Sequence, residues 1–184
     1  MPFQFIPTRL PSVVVIQPKV FGDSRGCFLE SWQLETFAAA GIEASMVQDN
    51  LSESIQGTLR GLHYQIQRPQ GKLVQVLAGE VFDVAVDLRR HSPTFGQWVG
   101  ERLSWENKRM MWVPPGFAHG FYVLSPAALF AYKCTDFYAP AHERAILWND
   151  PDLGIDWPLL PGLPPALSPK DGAAVAFRQA ECYP

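Results

Sequence analysis

No sign of charge dominates this chain of 184 residues, in which 15 Lys and Arg stand against 18 Asp and Glu for a formal net charge of −3 at neutral pH. Nonspecific nucleic-acid binding draws on dense Lys and Arg fields, so no nucleic-acid partner is expected, although a small local basic cluster is compatible with the total. Cysteine is scarce as well. Cys27, Cys134 and Cys182 are odd in number, far apart and in no Cys-x-x-Cys pattern, which argues against a disulfide framework or a zinc knuckle and for a reducing cytoplasm. Long apolar runs are missing: between Met1 and Lys19 the only one is Val13 to Ile16. Neither a signal peptide nor a membrane partner is expected. The chain also lacks internal repeats and low-complexity linkers.

What is present is ordinary globular material, 47% hydrophobic and 18% charged, in a length suited to one domain over residues 1–184. Seventeen prolines and fourteen glycines, spread throughout, favour many short strands over a few long helices. One helix is expected over Glu30 to Ala40, with Trp32, Phe37 and Ala40 on one face and Gly41 as its stop. Leu73 to Leu77 and Val81 to Leu88 alternate with period two around Ala78-Gly79-Glu80, which reads as a β-hairpin. Further strands are expected at Val13 to Val20, Leu59 to Gln65, Trp98 to Leu103, Met110 to Val113, Gly120 to Leu124 and Leu129 to Asp136. Such spacing points to an antiparallel sandwich or barrel. The Pro-rich stretch Trp157 to Pro169 leaves only fifteen residues beyond it, too few for a domain, so a tail packed back onto the strands is expected.

Strand parity over Arg60 to Gln65 puts Arg60, Leu62 and Tyr64 on one face and Gly61, His63 and Gln65 on the other. His63 then has a glycine beside it that would leave room for a ligand. A lone strand histidine is more often packing than chemistry, so other residues must decide. The segment Val113 to Phe121 contains Pro-x-Gly-x-x-His, which looks like the second signature of the cupin superfamily, a small jelly roll that binds ligands at its mouth. Metal-binding cupins carry His-x-His in the first signature. Here His63-Tyr64-Gln65 lacks the second histidine, leaving a metal short of ligands, and no metal is expected.

Several blocks in order resemble the dTDP-4-dehydrorhamnose 3,5-epimerases: Phe21 to Glu30, Gln48 to Ser52, Leu59 to His63, Asp83 to Arg89, Ser92 to Gly96, Pro115 to Phe121, Tyr132 to Thr135 and Ser168 to Asp171. The resemblance implies a mainly β fold, a cupin-type jelly roll or antiparallel β-barrel with a few short helices. It implies inversion of C3 and C5 of a thymidine-diphosphate 4-keto-6-deoxyhexose. A C4 ketone acidifies both neighbouring carbons, so a base on one sugar face and an acid on the other can invert them without a redox cofactor.

Residue by residue, His63 matches the family's base, with a reference pKa of about 6.5 suited to neutral pH. Asp171 matches the carboxylate that fixes its tautomer, Tyr132 the acid, and Lys72 the cation opposite the enolate oxygen. His119 matches a second group near the substrate. Asp83 either works with it or is a structural hydrogen-bond acceptor. Arg25, Arg60 and Lys170 match phosphate and sugar contacts. Gln48, Asn50, Glu30, Tyr138 and Glu143 fall on further binding positions, with Tyr138 able to stack on the base. The resemblance also implies a homodimer in which the segment around Phe21, Arg25 and Glu30 reaches nucleotide held mainly by the other chain. Pairing would cover Val13 to Val20, which a lone sandwich is expected to leave as an edge. Rival readings are an epimerase of C3 or C5 alone, a 3,4-ketoisomerase, a cupin that only binds a sugar nucleotide, and a metal-dependent oxygenase.

Overall fold

The computed structural model describes residues 2–184 and is built from two facing antiparallel sheets. The strands are β1 (Phe3–Pro7), β2 (Val14–Pro18), β3 (Val20–Asp23), β4 (Gly26–Leu29), β5 (Gln48–Ile55), β6 (Leu59–Gln65) and β7 (Lys72–Ala78). They continue with β8 (Glu80–Asp87), β9 (Trp98–Ser104), β10 (Met110–Val113), β11 (Phe117–Val123), β12 (Ala127–Cys134) and β13 (Glu143–Ala145). One sheet runs β1-β2-β10-β7-β12-β5, the other β13-β6-β11-β8-β9, and β3 pairs only with β4. Neither sheet closes on itself, so the mainly β jelly roll is an open sandwich.

Three apolar clusters define the layers. Val74, Val76, Phe130 and Met111 from the six-stranded sheet meet Val81, Ala85, Phe117 and Phe121 from the five-stranded one. The outer face of the five-stranded sheet, with Leu62, Tyr64, Val84 and Tyr122, is covered by Ile146, Leu153, Trp157 and Tyr183 from the C-terminal tail. The other sheet's outer face, with Ile16, Leu73 and Met110, is covered by Phe37 and Ile42 around helix α1 (Leu34–Ala39). The tail is also tied by isolated bridges, Thr58 to Ala166, Ile146 to Val175 and Arg89 to Tyr183, and so packs back as its composition suggested.

Local signals explain where α1 starts and stops. Its N-cap is Gln33, whose side chain accepts from the Thr36 N–H, and Trp32 packs on Phe37 with ring centroids 4.3 Å apart as a hydrophobic staple. The helix is thus shorter than the expected Glu30 to Ala40. At the far end Gly41 takes a φ of +86°, while its N–H bonds Ala38 and that of Ile42 bonds Phe37, the paired closure of a Schellman motif.

Two expectations need correction. The segments around Gly79 form no hairpin: β7 pairs with β10 and β12, while β8 pairs with β11 and β9. Period-two alternation tells which side chains face inward, but a strand that arches into the opposite sheet shows the same alternation as one that pairs with its neighbour. Likewise Val14–Pro18 is no edge, because β1 and β10 flank it; the edges of that sheet are β1 and β5.

Strand parity also breaks inside β6. His119 lies opposite His63 and Phe121 opposite Arg60, so Gly61 and Leu62 together face the single residue Gly120, a β-bulge. Arg60, itself exposed, consequently lines the same cavity as His63, while Leu62 and Tyr64 face the outer core. The space beside Gly61 is filled by the neighbouring strand and not left for a ligand. A Cβ there would lie 2.5 Å from the Gly120 Cα and 2.8 Å from the His119 carbonyl, so the glycine is what lets the two strands touch. Gly61 also has a φ of +119°, which disfavours any side chain. Gly61→Ala should therefore lose about 2 to 4 kcal/mol in urea denaturation and activity with it. Wild-type stability in that variant would contradict the close approach.

Candidate active site

Side chains from both sheets converge at one end of the sandwich interior. The five-stranded sheet supplies His63, Asp83 and His119; the other supplies Lys72 and Tyr132. Two cavities of about 180 Å³ and 90 Å³ share His63, Lys72 and Tyr132 in their linings and so adjoin at that trio. Arg60, His119, Phe121 and Phe130 wall the larger; Gln65, Phe117, Tyr138 and Glu143 wall the smaller. His63 and Tyr132 thus face a common space from opposite sides. The Lys72 ammonium lies 5.8 Å from the centre of the Tyr132 ring.

The remaining member arrives from the tail. Helix α2 (Pro169–Gly172) begins after Ser168, whose hydroxyl accepts from the Asp171 N–H at 3.1 Å and donates to the Asp171 carboxylate at 2.6 Å. The other carboxylate oxygen receives the Gly61 N–H at 3.2 Å and lies 2.6 Å from Nε2 of His63. Burial works to raise the Asp171 pKa, but the hydrogen bonds from His63, Ser168 and Gly61, with the nearby imidazole, outweigh it and hold the group at about 2. An ionised Asp171 only accepts, so Nε2 of His63 donates the hydrogen between them.

Behind this pair, Asp83 sets both carboxylate oxygens 2.9 Å from Nε2 of His119, and both side chains are buried. Burial pushes the Asp83 pKa up, against the pull of His119 and Lys72. Burial likewise pushes Lys72 down, against Cys134, Asp83 and Glu143. Tyr132 is raised, first by burial, and keeps its proton at neutral pH. An imidazole, a neutral phenol and a poorly solvated ammonium around one void form a proton-transfer site with a receptor for developing negative charge. Among the described residues no group of three or more His, Cys, Asp or Glu side chains is disposed to hold a metal ion.

A family model described as dTDP-4-dehydrorhamnose 3,5-epimerase matches residues 7–179. The dTDP-4-dehydrorhamnose 3,5-epimerase of Pseudomonas aeruginosa is 63% identical over 180 residues, covering 96% of this chain and 98% of that one. The chain belongs to this family of isomerases. Among solved structures, the dTDP-6-deoxy-D-glucose-3,5-epimerase of Legionella pneumophila Philadelphia 1, in complex with dTDP-4-keto-L-rhamnose, superposes with a TM-score of 0.94 at 57% identity, covering 97% of this chain and 95% of that one. A 3'-monoepimerase from Streptomyces bikiniensis, in complex with dTDP-quinovose, is more distant, with a TM-score of 0.87 at 33% identity, covering 94% and 87%.

The epimerase-like chain gathers most of the expected binding residues at the same end of the fold. Arg60 lines the larger cavity, and its Nε donates to Ser54 at 3.2 Å. Gln48 donates to Asn50 at 3.0 Å and accepts the Tyr138 N–H at 2.9 Å. Tyr138 in turn donates its hydroxyl to Glu143 at 2.6 Å, and Lys170 pairs with the same carboxylate. Burial would raise Glu143, but Lys170, Tyr138 and His63 together bring it below the usual carboxylate range. Phe21, Arg25 and Glu30 are not brought there: Phe21 and Arg25 belong to the separate β3–β4 hairpin, Glu30 follows it, and none of the three lines either cavity. Ser52, Phe130, Gln70 and Phe117, which sequence reasoning passed over, line the cavities instead. For Ser52 a signal existed, since it continues the alternation of Gln48 and Asn50 along β5.

The depressed Asp171 value fixes a pH dependence. A carboxyl lowered in the folded state contributes stability above its unfolded value, near 3.8, and loses it as pH falls through about 2. Asp171→Asn should therefore be less stable than wild type by about 2 kcal/mol near neutrality. In urea denaturation at stepped pH the gap should close between about pH 4 and pH 2. A gap undiminished at the acid end would assign the loss to packing and not to charge.

Proposed function

We propose that the protein inverts C3 and C5 of dTDP-4-dehydro-6-deoxy-D-glucose to give dTDP-4-dehydro-L-rhamnose, with His63 as base, Tyr132 as acid, Lys72 as the enolate's cation and Asp171 as the group that orients His63. One observation carries the assignment of roles: His63 and Tyr132 stand on opposite sheets and line the same two cavities. A sugar ring between them has a base on one face and an acid on the other. His63 Nδ1 takes the proton from the carbon beside the C4 ketone, and the electron pair moves through the C–C bond onto O4. Lys72, short of solvent, stabilises that oxyanion more than the neutral ketone. Tyr132 delivers a proton to the opposite face and is reprotonated from solvent, while His63 releases its proton to solvent, which resets both groups. Repetition at the second carbon completes the isomerisation, with no net oxidation and hence no redox cofactor. His119, held by Asp83, and Lys72 serve the C4 oxygen end, while Arg60, Gln48, Asn50, Tyr138, Glu143 and Lys170 serve the nucleotide diphosphate.

Isotope exchange tests these roles together. In D₂O, monitored by proton NMR with a coupled 4-ketoreductase, His63→Asn should lose exchange at C3 and C5 alike, by about 10²- to 10⁴-fold. Tyr132→Phe should retain some deuterium wash-in while inverted product falls. Near wild-type exchange at either carbon in His63→Asn would require a second base. Inversion at one carbon only, in the wild type, would favour the monoepimerase reading, and no exchange at all a sugar-nucleotide-binding cupin.

The working unit we infer is a homodimer formed by single-domain chains, residues 1–184, in the cytoplasm. Two exposed apolar surfaces support the pairing. On the β3–β4 hairpin Phe21 and Phe28 are 52% and 67% exposed, and on the outward face of β5 Leu51 and Ile55 are 62% and 70% exposed. Large apolar groups left in water are characteristic of association surfaces. The cytoplasmic assignment follows from three unpaired cysteines, and among the described residues no helix is long and apolar enough to cross a membrane. If the hairpin completes the partner's site, Arg25→Ala and His63→Asn homodimers should each be impaired. Reassociating a mixture should restore activity, because each heterodimer carries one intact site. Activity equal only to the sum of the two, with subunit exchange demonstrated by native mass spectrometry, would place Arg25 in its own chain's site.

A further inference from the structure

We propose that Ser52 is a phosphate-binding residue of this site, donating its hydroxyl to a phosphoryl oxygen of the nucleotide diphosphate beside Arg60. The inference rests on the sugar-nucleotide reading above and gives a role to a residue that the Gln48 to Ser52 block contains but to which neither that block nor the cavity chemistry assigned one. Along β5 the burial alternates strictly, with Gln48, Asn50, Ser52 and Ser54 inward and Asp49, Leu51, Glu53 and Ile55 exposed. Ser52 lies opposite Phe130 on β12 and lines the larger cavity with Arg60, His63, Lys72 and Tyr132. Among the described residues its Oγ is buried without any hydrogen-bond partner.

Every other inward polar group of β5 is satisfied. Gln48 and Asn50 bond each other, Asn50 also reaches the Cys134 sulfur at 3.5 Å, and Ser54 accepts from Arg60. An orphaned hydroxyl in a buried wall carries a desolvation penalty that a bound ligand can relieve. The neighbours say which ligand atom fits. Among the described residues Arg60 is anchored to Ser54 through Nε alone, which leaves its two amino groups as unpaired donors on a residue that lines the cavity. Phe121, Phe130 and Gly120 complete that wall and offer no competing side-chain acceptor. A hydroxyl donor beside a guanidinium, in a cavity that also holds the Lys72 ammonium, suits an oxyanion with several acceptor oxygens, which describes a phosphoryl group. The neighbouring Ser54 thus positions Arg60, and Ser52 adds the second donor.

The test compares the full-length wild type with Ser52→Ala and Ser52→Thr in thymidine diphosphate titration calorimetry, thermal unfolding of the free protein, and steady-state kinetics. Ser52→Ala should weaken thymidine diphosphate binding by about tenfold to a hundredfold, as for a hydrogen bond to a charged group, and raise KM more than it lowers kcat. The free variant should be at least as heat-stable as the wild type, since it loses an unsatisfied buried hydroxyl. Ser52→Thr, which keeps the hydroxyl, should recover most of the affinity. Unchanged thymidine diphosphate affinity in Ser52→Ala, with wild-type catalysis intact, overturns the proposal and leaves the epimerase reading standing. A raised KM with unchanged thymidine diphosphate affinity also overturns it, moving Ser52 to the sugar. Absence of both thymidine diphosphate binding and deuterium exchange in the wild type would overturn the underlying reading as well.

Discussion

The contact between His63 and Asp171 sets what the rest of this fold has to accomplish. The two residues are 108 positions apart, and an imidazole on a strand has no intrinsic preference for which nitrogen carries its proton. A carboxylate held near pKa 2 decides it, but only if the chain after the last strand returns to the correct place. The return is secured by packing, with Ile146, Leu153, Trp157 and Tyr183 against the outer face of the sheet that bears His63. Pro169 and the cap of Ser168 then start a single helical turn that delivers the carboxylate to His63. Apolar burial far from the cavity is therefore what fixes the tautomer inside it.

The same logic governs the groups that carry charge. A lysine, two histidines and an aspartate between two sheets would be expensive if left unpaired. Here Asp83 is matched to His119, and Lys72 sits within reach of both Asp83 and Glu143 without a direct ion pair to either. Its ammonium is thus only partly compensated in the free protein. On the proposed mechanism an enolate oxygen in the cavity supplies the missing counter-charge at the moment when stabilising it lowers a barrier, which is the physical content of preorganised electrostatics.

How much of this was legible beforehand follows from what each residue's signal depends on. Strands β6, β9 and β10 were readable because each is a short, largely apolar or β-favouring run bounded by Pro, Gly, Asn or Ser, a signal intrinsic to the segment. The partners of β7 and β8 were not, since an arch and a hairpin share one pattern. The inward turn of Arg60 was hidden because it depends on Gly120, sixty positions away, facing two residues of β6 at once. The roles proposed for His63, Lys72, Tyr132 and Asp171 came only from ordered blocks that resemble one family; composition alone would have left Lys72 as a solvated strand end. Ser52 went unread although its parity was plain. A serine's meaning lies in an unfilled hydrogen bond, and a sequence does not print those.

Strand β5 ties these threads to the question of assembly. In a sandwich with one chain's worth of core, an edge strand normally turns apolar residues inward and polar residues to water. β5 does the reverse, with Gln48, Asn50, Ser52 and Ser54 inside and Leu51 and Ile55 outside. On the proposed function the inward half serves a ligand-binding interior. The outward half would be a solubility liability for a lone chain, as would the phenylalanines of the β3–β4 hairpin, which rest on no other strand. On the proposed dimer both oddities have one cause: the strand that gives its polar face to the substrate gives its apolar face to a second subunit. Arg25 and Glu30, stranded away from the cavity within their own chain, then gain a site to serve.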